Sequence, residues 1–422
     1  MKIVLVNTSD RRGGAAVACL RLAEALRKSG AEVNVLVSEK LTTLPYVTEL
    51  HSSRWGKLRK KGNFLLERLE IFLQNKMTRK DLFAVSTAGY GCDISDYPLV
   101  KEADVVHLHW VNQGFLSLTG IGNLLATGKP VVWTLHDLWA VTGICHNPRA
   151  CDRFQSDCGK CPQLHSETLK DLSSVVMARK KEFLCGAGIR LVSCSDWLGE
   201  RARTSMLEAG NPIAAIPNPI DTAFFSPGDR VEARRALGLP MDKPLILFGA
   251  VIASDKRKGI DYLTEASLLL ANAGVAAELV MCGEMKGEDE PQFGLPVHKM
   301  GYVSDLATIR LLYRAADLFV TPSLEENLPN MIMESMACGV PCVGFNVGGI
   351  PEMIAHRHNG YVAEYLSTTD LAEGIRYVLE HTNDPAFGES ARRFVEEHYS
   401  EPRVAARYLD IYKESIEAKK YE

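Results

Sequence analysis

Short, uninterrupted apolar runs alternate with longer amphipathic segments along most of this chain. The run Ile3 to Val6 is followed by apolar positions at helical spacing and then by a second apolar stretch at Val33 to Val37. A strand buried on both faces of a parallel sheet has this continuous apolar pattern. Further runs predict strands at residues 104–109, 130–135, 189–193, 245–251, 277–282, 297–300 and 316–321. The alternation predicts an α/β protein with parallel sheets.

The length of the chain and one proline-rich segment predict two domains. A chain of 422 residues is too long for a single hydrophobic core. Pro217, Pro219, Pro227 and Gly228 mark a stiff linker, so we place the boundary between residues 218 and 219. Beyond residue 370 the pattern predicts helices at residues 371–380, 390–398 and 404–418.

Composition and charge narrow the classes of protein. The net charge of −4 gives no basic field that would attract nucleic acid. The opening residues MKIVLVNTSD fit a first strand and not a signal peptide, and no run approaches the roughly 18 apolar residues of a membrane span. Eleven cysteines without an export signal suggest reduced thiols. We therefore expect a cytoplasmic protein without nucleic-acid partners.

Two glutamates, Glu326 and Glu334, lie eight positions apart where the last apolar run passes into a helix. The amides of Asn327, Leu328 and Asn330 lie at the start of this helix and can bind an anion, helped by the helix dipole. The carboxylates can then accept hydrogen bonds from sugar hydroxyls on either side of a bound phosphate. Taken alone, the pattern also fits a capped surface helix with two solvated glutamates.

The whole segment at 321–352, TPSLEENLPNMIMESMACGVPCVGFNVGGIPE, resembles the donor-site signature of the family-four retaining glycosyltransferases of the GT-B fold. The family's usual Gly-Phe-Gly is replaced by Asn327-Leu328-Pro329-Asn330, a variation that resembles exopolysaccharide-type members. The resemblance implies two Rossmann-like domains facing across a central cleft. It also implies transfer of a hexose from a nucleotide diphosphate sugar to a hydroxyl acceptor, with retention at the anomeric carbon.

The same resemblance assigns a part of the reaction to each domain. Residues 1–218, with a returning helix at 404–422, are expected to bind the acceptor, and residues 219–403 the donor. The acceptor implied is a saccharide or a lipid-linked saccharide in polysaccharide biosynthesis. Two other classes stay open, namely a sugar-nucleotide epimerase or hydrolase on the same fold and a non-catalytic nucleotide-sugar-binding protein.

Lys258 matches the lysine of the Lys-Gly pair that grips the donor diphosphate in this family. A lysine supplies a point charge where two phosphates are neutralised as the sugar bond breaks. The family's arginine in an upstream Gly-Arg pair is missing, because Ala250 follows Gly249. Lys256 or Arg257 could replace it.

The resemblance assigns further donor contacts in the second half of the chain. Glu326 fixes the sugar, Glu334 accepts from ribose hydroxyls, and amides around Asn327 and Leu328 hold the diphosphate. Val303, in GYVSD, contacts the base through main chain, so the sequence does not distinguish a UDP-sugar from a GDP-sugar. No metal or other cofactor is required for catalysis on this scheme.

In the first half of the chain, the candidate functional residues lie just after predicted strands. Gly13 and Gly14 open the first helix, and the resemblance places them against the donor diphosphate. His136 matches the histidine that contacts the donor sugar and stabilises developing charge. His109 ends the strand before it and is a candidate for the acceptor side, with a structurally satisfied histidine as the equal alternative.

Residues 54–80 form a basic amphipathic segment. Residues 51–80 contain nine lysines or arginines and two acids, and apolar residues recur at helical spacing. This pattern is typical of a helix on an anionic membrane surface, and equally of an ordinary packed helix with solvated lysines. Peripheral attachment to the inner face of the membrane is the first interpretation.

Four cysteines, Cys145, Cys151, Cys158 and Cys161, fall within seventeen residues in the spacing C-x5-C-x6-C-x2-C. Cys-x2-Cys is a usual half-site for tetrahedral zinc, and a closed four-thiolate site leaves no catalytic position. The spacing predicts a structural zinc, with disulfides as the alternative in an oxidising compartment.

Overall fold

The computed structural model describes residues 1–208, 210–285, 291–382 and 384–421. The chain divides into two compact units. Unit 1 comprises Met1–Asn218 and Val404–Glu422, and unit 2 comprises Pro219–Arg403.

Unit 1 contains a seven-stranded sheet within the part of the chain that the structure describes. Its strands are β1 (Lys2–Ser9), β2 (Glu32–Glu39), β3 (Val47–Glu49), β4 (Val105–Leu108), β5 (Val131–Leu135), β6 (Arg190–Ser193) and β7 (Ile213–Ala215). They lie in the order β3-β2-β1-β4-β5-β6-β7, and each neighbouring pair is parallel.

Unit 2 contains a second parallel sheet, which has six strands in the described residues. Its strands are β8 (Leu245–Ile252), β9 (Glu278–Glu284), β10 (Val297–Gly301), β11 (Leu318–Thr321), β12 (Cys342–Phe345) and β13 (Gly360–Ala363). They lie in the order β10-β9-β8-β11-β12-β13. Both orders reverse beside the first strand, as in doubly wound Rossmann-like sheets.

Helices connect the strands of both units. They are α1 (Gly14–Lys28), α2 (Arg54–Gln74), α3 (Pro98–Glu102), α4 (Leu118–Ala126), α5 (Leu172–Leu184), α6 (Asp196–Arg203), α7 (Arg230–Leu237), α8 (Ile260–Asn272), α9 (Leu306–Ala315), α10 (Asn330–Ala337), α11 (Ile350–Met353), α12 (Thr368–His381), α13 (Pro385–His398) and α14 (Glu401–Tyr421). The structure places 3-10 turns at Trp139–Val141, Arg153–Gln155, Pro162–Leu164, Met206–Glu208 and Lys256–Lys258.

The apolar runs are continuous because each strand of unit 1 is covered on both faces. In β1, Val4 and Val6 pack into the cluster beneath α4 and α5, while Ile3 and Leu5 pack into the cluster beneath α1 and α14. Successive side chains of a strand point to opposite faces, so both positions of each pair must be apolar. The α/β fold with parallel sheets is thus confirmed, and α14 belongs to this second cluster through Tyr408 and Tyr412.

Several boundaries differ from the sequence prediction by a few residues, and the start of α13 has a local reason. Helix α13 begins at Pro385, five residues before the predicted start, because Asp384 caps it and accepts from the amide of Ala386. Helix α10 begins at Asn330, with Pro329 as its N-cap in an extended conformation. Among the described residues, no helix is both long enough and apolar enough to cross a bilayer.

Candidate active site

Each sheet carries polar and charged residues at the point where its strand order reverses. In unit 2 the reversal lies between β8 and β11, and the segments after these strands contain Lys258 and Glu326. In unit 1 it lies between β1 and β4, which lead to Gly13 and His109. Ligands of open α/β sheets bind at the carboxyl ends of the strands at this switch point. Both candidate sites therefore lie where the topology predicts one.

Lys258 and Glu326 form an ion pair in unit 2, between Nζ and Oε1. Their side chains are 36% and 17% exposed, so both groups remain within reach of a ligand. The Ser323 hydroxyl donates to the same carboxylate oxygen at 3.4 Å. A cation and a carboxylate thus lie together beside a helix N-terminus, since α10 begins four residues after Glu326 without a side-chain cap.

Two glycines allow the backbone segments around this pair to approach each other. Gly259 has φ +75°, and a Cβ there would lie 1.8 Å from the carbonyl oxygen of Pro322. Gly348 has φ +60°, and a Cβ there would lie 1.7 Å from the carbonyl oxygen of Glu326. The Leu324 amide also donates to the Arg257 carbonyl at 2.8 Å. Only glycine fits both positions, which explains why lysine is followed by glycine in the Lys258 turn.

Glu334 lies in the fifth position of α10 and is 7% exposed. Its Oε2 accepts a hydrogen bond from the Tyr313 hydroxyl at 2.8 Å. Burial, together with the Glu334 carboxylate, raises the pKa of Tyr313 well above its usual value, so the tyrosine stays a donor. Tyr313 was not identified from the sequence, because it lies 21 residues earlier on α9.

Neither candidate for the missing arginine is oriented as Lys258 is. Arg257 Nη2 contacts Asp255 Oδ2 at 2.7 Å, and its Nε contacts both oxygens of Asp255 at 3.2 Å. Lys256 is 83% exposed and lies 3.6 Å from Asp261. In this structure Lys258 alone of the three pairs with Glu326.

The main chain of Val303 hydrogen-bonds the thiol of Cys282.

In unit 1, Gly13 is the N-cap of α1, with φ 88° and open space where a Cβ would be. The preceding turn is held by the Ser9 hydroxyl, which accepts from the amides of Arg11 and Arg12 at 3.3 and 3.2 Å. Gly13 and Gly14 thus begin a helix directly after the first strand, as predicted.

His109 and His136 lie at the ends of neighbouring strands and bond to each other. His109 Nδ1 lies 2.9 Å from His136 Nε2. On the other side of His136, Nδ1 lies 3.6 Å from Cys194 Sγ, and Cys194 donates to Asn218 Oδ1 at 3.2 Å. These four residues follow β4, β5, β6 and β7 in turn. Cys194 and Asn218 were not identified from the sequence, although polar residues just past apolar runs are a signal that could have found them.

His107 lies inside the sheet and has a structural environment. Its Nδ1 lies 2.7 Å from the Tyr412 hydroxyl, and its Nε2 lies 2.7 Å from Thr134 Oγ1. Burial lowers the pKa of His107 to about 3 and that of His136 to about 4. It also lowers the pKa of His109 well below its usual value. All three imidazoles are therefore neutral at pH 7.

Asp137 holds the loop that carries His136. Its Oδ2 accepts from His146 Nδ1 at 2.7 Å and from Trp110 Nε1 at 2.9 Å, and its Oδ1 accepts from the Trp139 amide at 2.8 Å. Burial alone would raise the pKa of Asp137, but His146 and these hydrogen bonds lower it. Asp137 is thus an ionised anchor that ties the loops after β4 and β5 together.

The four clustered cysteines line one cavity of about 20 Å³. All four are free thiols, so they form no disulfide. No group of three or more His, Cys, Asp or Glu side chains is arranged to hold a metal ion anywhere in the residues that the structure describes. The structural zinc predicted for Cys145, Cys151, Cys158 and Cys161 is therefore not confirmed.

Helix α2 buries two charged residues and exposes several large apolar ones. It buries Glu67, Arg68 and Ile71, and Glu67 accepts from the amides of Thr87 and Ala88 at 2.9 Å. Beside its exposed lysines and arginines, the helix also exposes apolar side chains at helical spacing, namely Trp55, Leu58, Leu65, Leu66, Leu69 and Leu73. The packing of this helix does not explain why these apolar side chains are exposed to solvent.

Comparison with known proteins gives the class of the chain. Residues 12–224 match the model of Glycosyltransferase Family 4, and residues 243–381 match that of Glycosyl transferases group 1. An uncharacterised glycosyltransferase of Methanocaldococcus jannaschii is 25% identical, covering 96% of this chain and 95% of that protein. D-inositol 3-phosphate glycosyltransferase 1 of Catenulispora acidiphila is 31% identical over 75% of this chain and 73% of its own length.

Among solved structures, Anabaena HepE in complex with UDP-glucose has the same fold, with a TM-score of 0.63 and 17% identity over 98% of this chain and all of that one. The two parallel, Rossmann-like units are those of GT-B glycosyltransferases. The chain belongs to glycosyltransferase family 4.

Proposed function

We propose that this glycosyltransferase moves a hexose from a nucleotide diphosphate sugar to a hydroxyl of a lipid-linked saccharide, with retention of the anomeric configuration. Lys258, the α10 N-terminus and the amides of Asn327 and Leu328 hold the diphosphate. Glu326 fixes the sugar, and Glu334, held by Tyr313, belongs to the ribose side. The leaving phosphate takes the acceptor proton, so the protein orients the substrates and stabilises charge.

The ion pair between Lys258 and Glu326 at the switch point of unit 2 carries this proposal. Without a ligand the two groups neutralise each other, and a donor offers each a better partner. The diphosphate replaces the carboxylate beside Lys258, and sugar hydroxyls replace the ammonium beside Glu326. Gly13 and Gly14 then belong to the diphosphate contacts of unit 1. Val303 is proposed as a base contact through its main chain, and His136 as a contact of the sugar.

Incubation of the protein with radiolabelled UDP-glucose, UDP-galactose or GDP-mannose and a bacterial lipid extract tests the function. We expect label to move into the lipid phase with one donor, with the product's anomeric configuration equal to the donor's by NMR. Free labelled sugar or an epimer formed without lipid would indicate the hydrolase or epimerase instead. Binding of nucleotide without turnover would indicate a non-catalytic protein.

We propose further that α2 attaches the protein peripherally to the anionic, cytoplasmic face of a membrane. Its outward leucines and Trp55, which is 82% exposed, form the apolar face. Arg54, Lys57, Arg59 and Lys61 lie exposed on the same helix. Apolar burial and attraction to anionic lipid act together on such a helix. A lipid-linked acceptor would be met at this surface.

Co-sedimentation with vesicles checks the attachment. We expect binding to vesicles containing 30% phosphatidylglycerol, since lipid charge attracts the lysines and arginines, and weaker binding in 0.5 M salt. The double variant Leu65→Ser/Leu69→Ser should lose about tenfold in partition coefficient, because it removes exposed apolar area without touching the buried face. Val231→Ser, an exposed apolar residue on α7, is the matched control. Equal binding to uncharged vesicles, or no effect of the double variant, contradicts the attachment.

We also propose that the four-cysteine loop takes up a structural zinc ion. The Cys161 thiol accepts from the amides of Gln163 and Leu164, and the main chain of Gly143 hydrogen-bonds Cys158. Burial raises the pKa of Cys145 to about 12, that of Cys158 to about 11 and that of Cys161 as well, and these main-chain contacts offset part of the rise at Cys158 and Cys161. Lys180 Nζ is buried nearby, where it donates to the carbonyls of Trp139 and Thr142 at 2.5 and 3.0 Å. Burial lowers the pKa of Lys180 to about 7, while thiolates at Cys145 and Cys158 raise it, so a four-thiolate zinc site would favour the charged lysine, which offsets part of the site's negative charge.

Elemental analysis of protein purified without chelator checks the zinc. We expect about one zinc per chain, and a large fall in melting temperature after chelation, because binding of a structural metal adds to folding free energy. Cys158→Ser should lose the metal, whereas Cys185→Ser, an exposed cysteine outside the cavity, should keep it. A metal-free protein in which all four thiols react readily with a thiol reagent would rule the site out.

A further inference from the structure

The loop after β4 contains two buried polar atoms that the described residues leave without a hydrogen-bond partner. They are His109 Nε2 and Asn112 Nδ2, on side chains that are 3% and 2% exposed. An unpaired buried polar atom costs about 1–3 kcal/mol, so such atoms usually have a partner in the functional state. Two in one four-residue stretch indicate that this stretch binds something.

The hydrogen bonds of the neighbouring strands determine which kind of atom His109 Nε2 is. Asn218 Oδ1 can only accept, so Cys194 uses its one hydrogen there. The sulfur then accepts from His136 Nδ1–H. A neutral imidazole has a single N–H, which makes His136 Nε2 an acceptor for His109 Nδ1–H. His109 Nε2 therefore carries a lone pair and requires a donor.

Asn112 has the complementary requirement. Its Nδ2 is an N–H donor and requires an acceptor. A hydroxyl group both donates and accepts, so it matches these two atoms, whereas a carboxylate or a phosphate oxygen matches Asn112 alone. The requirements of the two atoms thus fit a hydroxyl better than an anion.

The loop is held in place before any ligand arrives. The Trp110 amide donates to Asn7 Oδ1 at 2.9 Å, and the Trp110 carbonyl accepts from the amide and the hydroxyl of Thr8, each at 2.8 Å. Thr8 Oγ1 also donates to the Asn112 carbonyl at 3.2 Å. A loop that is already ordered loses little entropy when it binds.

We propose that His109 Nε2 and Asn112 Nδ2 bind a sugar hydroxyl of the acceptor, with His109 as hydrogen-bond acceptor and Asn112 as donor. This inference rests on the proposed function and names the side chains of unit 1 that recognise the saccharide. His109 has two separable roles in it, because Nδ1 supports His136 and Nε2 contacts the hydroxyl.

Asparagine and glutamine separate the two roles. An asparagine amide takes the place of the histidine Nδ1, and a glutamine amide takes that of Nε2. The acceptor probe is the lipid-linked saccharide fraction that supports transfer by the parent protein. In His109→Asn we expect its half-saturating amount to rise about tenfold, the loss of one hydrogen bond to a buried group, with the KM for donor changed by less than about twofold. In His109→Gln it should rise less than about threefold. Asn112→Asp should resemble His109→Asn.

His51→Asn, the same exchange at a half-buried histidine that contacts Cys92, is the control and should leave the half-saturating amount unchanged. If His109→Gln raises it more than His109→Asn does, His109 acts only through His136 and the inference is wrong. An unchanged amount in both variants overturns it as well.

A binding measurement separates this inference from the proposed function. Trp110 adjoins His109, so its fluorescence reports ligands of the loop. We expect methyl glucoside to change the fluorescence of the parent protein in the presence of UDP, and to bind about tenfold more weakly to His109→Asn. Absence of binding to the parent overturns the inference even if transfer to lipid is observed. Binding without any transfer upholds it and refutes the proposed function.

Discussion

We expect replacement of Lys258 by alanine to lower the rate of sugar transfer by about 100- to 1,000-fold, the usual effect of removing one group that stabilises transition-state charge. The charge on the leaving diphosphate grows as the sugar bond breaks, and Lys258 Nζ is the cation that the structure places beside Glu326. Glu326→Gln should lose a similar factor, because a neutral amide binds the sugar hydroxyls more weakly than a carboxylate does. Initial rates with radiolabelled donor measure both.

The loss in these variants is not expected to come from unfolding. The two side chains are 36% and 17% exposed, and an ion pair of this kind contributes at most about 1 kcal/mol to stability. The melting temperature should therefore change little. Lys256→Ala provides the matched control, since Lys256 lies in the same 3-10 turn, is 83% exposed and pairs with Asp261. Full activity of Lys258→Ala, or an equal loss in Lys256→Ala, would refute the assignment of the donor site.

The sequence assigned Lys258 and Glu326 to one donor site through the family resemblance, and the structure shows that topology brings them together. Each follows a buried strand, and parallel strands that flank a switch point end at the same edge of the sheet. The lysine-glycine motif and the glutamate motif can therefore each be recognised from local sequence alone. The close approach of Gly259 to Pro322 was not predictable, because it depends on the packing of two loops that lie more than sixty residues apart.

The surroundings of the motif residues were harder to predict for the same reason. Arg257 bonds to Asp255, only two residues earlier, although the sequence allowed it to replace the missing arginine. Tyr313 holds Glu334 from a different helix. His107 is held by Tyr412, 305 residues later, on a helix that returns to unit 1. Spacing within a motif says nothing about such partners.

For helix α2 the sequence pattern was compatible with two different environments, a membrane surface and an ordinary packed helix. Helical spacing of apolar residues predicted the helix, but not which face would pack. Glu67 lies on the packed face, where its carboxylate accepts from the amides of Thr87 and Ala88. These partners lie in a loop twenty residues later, so the sequence of the helix alone does not reveal which face packs.

Acidification from pH 7 to 5.5 should destabilise unit 1 by about 4 kcal/mol, three histidines each contributing a little over 1 kcal/mol. Burial lowers the pKa of His107 to about 3, that of His136 to about 4, and that of His109 well below its usual value. In the unfolded chain each has a pKa of about 6.5. Between these values the unfolded state binds protons that the folded state does not, so stability falls as the pH falls.

Tryptophan fluorescence isolates this effect, because all five tryptophans lie in residues 1–218. Urea unfolding at pH 7 and 5.5 gives the difference in unfolding free energy for unit 1. In His109→Asn the difference should shrink to about 2.5 kcal/mol, since two titrating histidines remain, and comparing each protein with itself removes any intrinsic effect of the substitution. His51→Asn should keep a larger difference than His109→Asn. Equal stability at both pH values would mean that the three imidazoles accept protons in the folded state. The neutral chain from His109 to Asn218 would then lose the hydrogen-bond direction on which recognition of the hydroxyl depends.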